Sequence, residues 1–193
     1  MPPLDIALFC KSYAGDIGRF KNRLASIVQY NTEELPFFIS VPNADLNLFR
    51  PLLSNVSFAT LLSDEDLLFE SNALGKAKTS DYTGSLLQQI VKVAFGMIGK
   101  ASRYVVIDSD SFFIRPFCKE DFSQDDGFPF TIMHKCEELL EFCEQNKMQF
   151  VKTNYERERK KLQSLFNRSG DIYDFGPTPV VWGSEVWQKL NDE

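Results

Sequence analysis

Short apolar runs alternating with amphipathic stretches predict an α/β fold with a mostly parallel central sheet flanked by helices. Two stretches carry most of that prediction. Residues 103–117 run apolar and aromatic side chains straight into Asp108 and Asp110, as a strand buried on both faces does where it meets solvent. Residues 84–99, just before it, space their apolar residues for one broad helix face, which gives the helix-then-strand order of a crossover unit.

The other elements follow in order. Residues 4–10 are apolar apart from Asp5 and read as a buried strand, and 11–15 read as a loop. From Asp16, a residue type that caps helices, Ile17, Phe20, Leu24, Ile27 and Val28 keep helical spacing. Residues 36–41 give a second strand. Pro42 and Asn43 then open a short helix carrying Leu46, Phe49, Leu52 and Leu53. Residues 56–62 read as a third strand, and the polar stretch 63–82 as a long loop of the kind that often carries function. In the helix from Gly84, Leu86, Leu87, Ile90, Val91, Ala94, Phe95, Met97 and Ile98 form the apolar face, and Gly99 stops it. Gln88 and Gln89 precede Lys92 by four and three residues and share its side. Further on, residues 128–134 read as a strand, 136–145 and 150–166 as helices, 170–176 as a loop and 179–182 as a short strand. Residues 184–190 begin a helix with nothing left to bury it against, so the natural protein is predicted to continue past Glu193.

With 193 residues, 44% hydrophobic and 25% charged, the chain fits one soluble domain with a sizeable core. Eighteen Phe, some paired as in Phe37-Phe38 and Phe112-Phe113, point to an aromatic core. The net charge of -6 argues against sequence-independent nucleic-acid binding. Arg157, Arg159, Lys160 and Lys161 alternate with Glu156 and Glu158, as on a solvated helix face. Cys10, Cys118, Cys136 and Cys143 lack metal-site spacing and read as reduced thiols of a cytosolic protein. No run approaches the ~20 apolar residues of a membrane span, and the first residues do not make a signal peptide.

In extended backbone, side chains two apart point the same way, so Asp108 and Asp110 would aim at one point. Two such carboxylates make a hard oxygen site for Mg²⁺ or Mn²⁺ and, through the metal, for a diphosphate. The end of a buried strand is also where open α/β sheets bind ligands. The plainer alternative is that the two aspartates solubilise a strand end and open a turn.

The order of elements resembles the GT-A class of metal-dependent glycosyltransferases, in its less-studied bacterial members. The likeness rests on Phe9-Cys10-Lys11-Ser12-Tyr13 with Asp16, Val41-Pro42, the helix Thr83 to Lys92, and Asp108-Ser109-Asp110 followed by Phe113 to Phe117. Pro177 to Trp182 adds a weaker match. The likeness covers most of the chain, best up to Phe117.

It implies a Rossmann-like GT-A sheet, with a nucleotide-sugar-binding half over about 1–117 and the start of an acceptor side over 118–193. The implied reaction moves a sugar from a nucleoside diphosphate sugar, UDP-sugars favoured, to a glycan or glycolipid, with Mn²⁺ or Mg²⁺ as cofactor. The implied location is cytoplasmic, with peripheral attachment at the inner membrane face as an option. Ser12, Tyr13 and Asp16 would lie near the base. Asp108 would face the ribose or the metal-bound phosphates and Asp110 would ligate the metal. Gln89 and Lys92 would face the donor.

Each residue has a bland alternative. Lys92 reads equally as a solvated helix lysine, Tyr13 as a loop residue packed on the core, and Arg115 as a support for the strand exit. Gln88 serves as well as Gln89. Many GT-A enzymes take a late histidine as a further metal ligand, whereas the sole histidine here, His134, reads as a core or edge residue. Asp171, Asp174 and Glu185 are candidates for an acceptor base only by their position after the triplet. Two other classes compete. In a haloacid-dehalogenase-like phosphatase Asp108 would be nucleophile and Asp110 acid-base, but that motif normally follows the first strand and carries Thr or Val where Ser111 stands. The other is a non-catalytic nucleotide-sugar or glycan-binding domain.

Overall fold

The computed structural model describes residues 3–124, 127–132, 135–171, 173 and 179–191. The chain divides into two compact units, Met1–Phe130 with Thr178–Glu193, and Thr131–Pro177.

In the first unit the strands are β1 (Leu4–Lys11), β2 (Phe37–Val41), β3 (Ala59–Ser63), β4 (Ala101–Val106) and β5 (Val180–Gly183). Among the described residues they form one sheet in the order β3-β2-β1-β4-β5, parallel except for β5, which runs antiparallel to β4. The fold is therefore α/β with a mostly parallel sheet. Successive strands first build outward from β1 through β2 to β3, and β4 then adds on the other side of β1. Such a reversal of strand order opens a crevice at the carboxyl ends of the two strands that flank it, here β1 and β4.

Alternation along the strands sends side chains to two cores. Ile6, Leu8, Cys10, Phe37, Ile39, Val41 and Val105 meet Phe20, Leu24 and Ile27 of α1 (Ile17–Tyr30) and Phe49 and Leu53 of α2 (Leu46–Leu53). On the opposite face Ala7, Phe9, Phe38, Tyr104 and Val106 meet Leu67 and Leu68 of α3 (Asp64–Ser71) and Val91, Ala94 and Phe95 of α4 (Gly84–Met97). Phe95 is the hub of that face: its ring stacks on Phe9 at 4.4 Å and meets Phe38 and Tyr104 at 5.1 Å each. Truncating such a ring costs about 3–5 kcal/mol.

Helix α3 lies where a long loop was expected. Ser63 caps it by accepting a hydrogen bond from the Asp66 N–H at 3.0 Å, and its three first-turn acids suit a helix N-terminus. Its buried leucines are adjacent, and Phe69 beside them is 89% exposed, so no helical period marks it. The third strand also starts later than predicted, at Ala59. Over the described residues 128–132 no strand forms. The isolated bridge between Ser123 and Pro129 pairs there, and proline has no N–H for a ladder.

The last helix, α7 (Ser184–Asn191), does find a surface to pack on. Trp187 lies against Trp182 at 5.0 Å and against Gly96 of α4, where a Cβ would stand 2.5 Å from both Trp187 Cδ1 and the Tyr104 hydroxyl. Gly96 is therefore dictated by close approach.

The second unit contains α5 (Glu137–Gln145) and α6 (Gln149–Leu165). Helix α6 buries none of its residues, in keeping with the alternating charges read from its sequence. Cys10, Cys136 and Cys143 are buried, and none of the four cysteines is in a disulfide. Among the described residues no helix is long and apolar enough to cross a membrane.

Candidate functional site

Strand β4 ends at Val106, sooner than the apolar run suggests. Ile107 still donates to the Phe9 carbonyl at 2.9 Å, but the next carbonyl, of Asp108, accepts from the Arg23 guanidinium instead of a neighbouring strand. Residues 108–111 then form a turn in which Ser111 N–H donates to the Asp108 carbonyl at 3.3 Å. Asp108 and Asp110 thus stand on a turn past the carboxyl end of β4, and the strand-alternation argument for their convergence does not apply.

The Asp108 carboxylate is 47% exposed and accepts from Lys92 Nζ at 2.9 Å. Lys92 is buried, which overturns the solvated-lysine reading. It sits one turn ahead of Phe95, where the α4 face enters the core. The Tyr104 hydroxyl pins that turn to β4 by donating to the Lys92 carbonyl at 2.9 Å. Burial pushes the Tyr104 phenol well above its ordinary value, so it stays a donor.

From the other face, α1 reaches the same turn. Asp16 occupies the position before the helix, but its side chain does not cap it. Instead it accepts from Ser109 Oγ at 2.8 Å, with Arg19 at 3.4 Å. Arg23, fully buried, donates to the Asp108 carbonyl and to Ser111 Oγ and lies 5.7 Å over the Phe113 ring. Ser26 Oγ accepts from the Phe113 N–H at 3.1 Å. Burial lowers the Arg23 pKa from its ordinary value, and Cys10, Asp108 and Asp110 oppose that shift. The Cys10 thiol beneath is pushed up to about 12 by burial and stays protonated.

A second ion pair closes the ends of β1, β2 and β3. Lys11 Nζ meets Asp64 Oδ2 at 2.9 Å, and Ser40 Oγ donates to the other oxygen of that carboxylate. Burial raises the Asp64 pKa, and Lys11 and Ser40 only partly offset it. Next to this pair Ser12 is buried. Its N–H donates to the Ser40 carbonyl at 2.9 Å, while its Oγ has no hydrogen-bond partner among the described residues.

The structure therefore brings Ser12, Asp16, Lys92, Asp108 and Asp110 to one sheet edge. Tyr13 is there too, but its ring is exposed and lies over Gly15 rather than in the core. Gln89 is exposed and Gln88 half-buried, one turn before Lys92 on α4. Arg115 is exposed and pairs with Asp121 at 2.9 Å. Glu185 is elsewhere. Because β5 is antiparallel, it leads α7 to the amino end of β4, where Ser184 bonds the Ala101 carbonyl. That end is roughly 20 Å of strand from Asp108. Asp171, in the second unit, pairs with Lys135 at 2.6 Å. Asp174 and His134 lie outside the described residues.

Sequence reasoning missed Lys11, Arg23, Ser40 and Asp64. Arg23 had left a signal: it falls three residues after Phe20 and four before Ile27, on the apolar stripe of α1, where an unpaired charge has no place. Among the described residues no three His, Cys, Asp or Glu side chains gather to hold a metal. The hard oxygen donors of Asp108 and Asp110 suit Mg²⁺ or Mn²⁺ of the kind that takes one or two carboxylates and completes its shell with phosphate and water.

Among solved structures, the chain is similar to mouse xyloside xylosyltransferase 1 in its apo form, at 16% identity and a TM-score of 0.40. That likeness covers 58% of this chain and 46% of the mouse protein. No curated protein matches the chain in sequence. The family of unknown function DUF6492 matches over residues 4–193, and the chain belongs to it.

Proposed function

We propose that the chain is a metal-dependent glycosyltransferase of GT-A type, moving a sugar from a nucleoside diphosphate sugar, UDP-sugars favoured, to a glycan or glycolipid. The observation that carries this reading is the open Lys92–Asp108 pair at the crevice between β1 and β4, with Arg23 buried beneath it. A diphosphate needs cations held in place, and a half-exposed carboxylate beside a buried ammonium can share its partner with one.

Lys92 hydrogen-bonds the diphosphate or donor sugar, and Gln89 lines the approach. Ser12, Tyr13 and Asp16 border the base, where the buried Ser12 hydroxyl has an unused hydrogen bond and the exposed Tyr13 ring offers an apolar face. Asp108 and Asp110 are the residues that would hold Mn²⁺ or Mg²⁺. When bound, the metal supplies Lewis-acid stabilisation of charge on the leaving diphosphate. Residues 1–117 form the donor half and 118–193 begin the acceptor side. A phosphatase reading gains nothing from the topology, since Asp108 follows the fourth strand in sequence.

Calorimetry with UDP tests the proposal. Affinity in Mn²⁺ should exceed that in EDTA by about tenfold or more, and equal affinities would remove the metal site. Steady release of UDP from a panel of UDP-sugars separates an enzyme from a binding module.

A further inference from the structure

Two residues of α1 and the one just before it hold the turn that carries both aspartates. Arg23 and Ser26, three apart, share a helix face, and Asp16 stands at the amino end of the helix, seven residues before Arg23. Each bonds a different point of residues 108–113: Asp16 holds the Ser109 hydroxyl, Arg23 the Asp108 carbonyl and Ser111 hydroxyl, and Ser26 the Phe113 N–H. Lys92 grips the same turn from α4, through the Asp108 side chain. The α1 contacts reach backbone and hydroxyls, leaving the carboxylates of Asp108 and Asp110 to other partners. A guanidinium is costly to bury, yet Arg23 is 1% exposed and spends its terminal nitrogen on this turn.

We infer that Arg23 is a positioning residue for the donor site: its buried guanidinium, through one terminal nitrogen, sets the turn before any ligand arrives, so that Asp108 and Asp110 meet the metal–diphosphate without reordering. This rests on the donor-site reading. Both bonds leave one terminal nitrogen, Nη2, held in place by the rigid guanidinium plane that lies over the Phe113 ring, and a flexible lysine stem lacks that plane. Ser26 assists from the next turn of the helix. Sites of this kind lose function when the supporting contacts loosen by a fraction of an ångström to an ångström.

Two measurements on the full chain test the role. The first is amide hydrogen exchange across residues 108–113, compared with β1 and β2, for wild type, Arg23→Lys and Ser26→Ala. The second is Mn²⁺ binding in the presence of UDP, read from the loss of the free-ion paramagnetic resonance signal. Ser26→Ala keeps the test open if Arg23→Lys does not fold. Exchange over 108–113 should quicken about tenfold with β1 and β2 unchanged, and Mn²⁺ should bind about tenfold more weakly, more so for Arg23→Lys. Unchanged exchange over 108–113 in both variants, or equal quickening of all strands, overturns the role. So does local quickening with Mn²⁺ affinity intact. A wild type that holds neither Mn²⁺ nor UDP overturns the donor-site reading itself, and the positioning role with it, whatever the exchange shows.

Discussion

Two lysine–aspartate pairs stand at the same edge of the sheet, both at 2.9 Å and both with the lysine side chain 6% exposed, yet they differ in their acids. Asp64 is 10% exposed and Asp108 is 47% exposed. The Lys11–Asp64 pair is closed on itself, with Ser40 completing it. The Lys92–Asp108 pair is half-exposed on the acid side. A closed pair holds strand ends together and has nothing left to offer a ligand. An open pair can exchange water, metal or phosphate while its cation stays fixed. Ion-pair distance alone would have ranked the two alike; exposure of the acid is what distinguishes the pair proposed to meet the donor.

The largest expected effect breaks the closed pair. Lys11→Met leaves a buried carboxylate with Ser40 as its remaining partner, which costs about 3–5 kcal/mol at pH 7 by urea denaturation. Burial already raises the Asp64 pKa, and losing Lys11 raises it further. A raised carboxyl contributes stability fully present below the unfolded value near ~3.9 and lost as pH rises through the folded one. The Lys11→Met defect should therefore shrink on acidification from pH 7 toward pH 5. A pH-independent loss would mean that Asp64 is not the group left stranded.

Next in size is Lys92→Met. The Asp108 carboxylate is 47% exposed, so the urea midpoint should barely move when the ammonium is removed. UDP binding in Mn²⁺ should weaken about ten- to a hundredfold, the equivalent of one charge-assisted hydrogen bond. Stability falling as far as in Lys11→Met, with binding intact, would erase the distinction between the pairs.

The smallest effect belongs to a third pair, Lys135–Asp171, with side chains 44% and 61% exposed. Asp171→Asn should leave the urea midpoint where it is, since exposed pairs of this kind add little. A clear downward shift would show that exposure is a poor guide to the ranking.

Much of this was legible in sequence. The stripe from Leu87 to Ile98 and the runs of β1 and β2 announce their elements because burial and period agree there. Asp108 and Asp110 were expected on the strand itself and stand on a turn past its end: the apolar run locates the strand but cannot show that Arg23 takes the Asp108 carbonyl and bends the chain away. Helix α3 escaped notice because its signal is a cap, Ser63 with Asp66, and not a period. Lys11 and Arg23 look like ordinary surface cations until tertiary packing buries them, and no local pattern states which carboxylate will meet them.

Gly96 gives α4 a property not evident from its length or sequence. The Tyr104 hydroxyl and the Trp187 ring crowd against its bare backbone from two sides, like jaws on a notch. With the same hydroxyl bonded to the Lys92 carbonyl, one turn away, the helix is indexed along its own axis. A slip of one residue, about 1.5 Å, would drive a neighbouring side chain into that notch. How far the ammonium of Lys92 extends toward the crevice is thus gauged by a residue with no side chain at all.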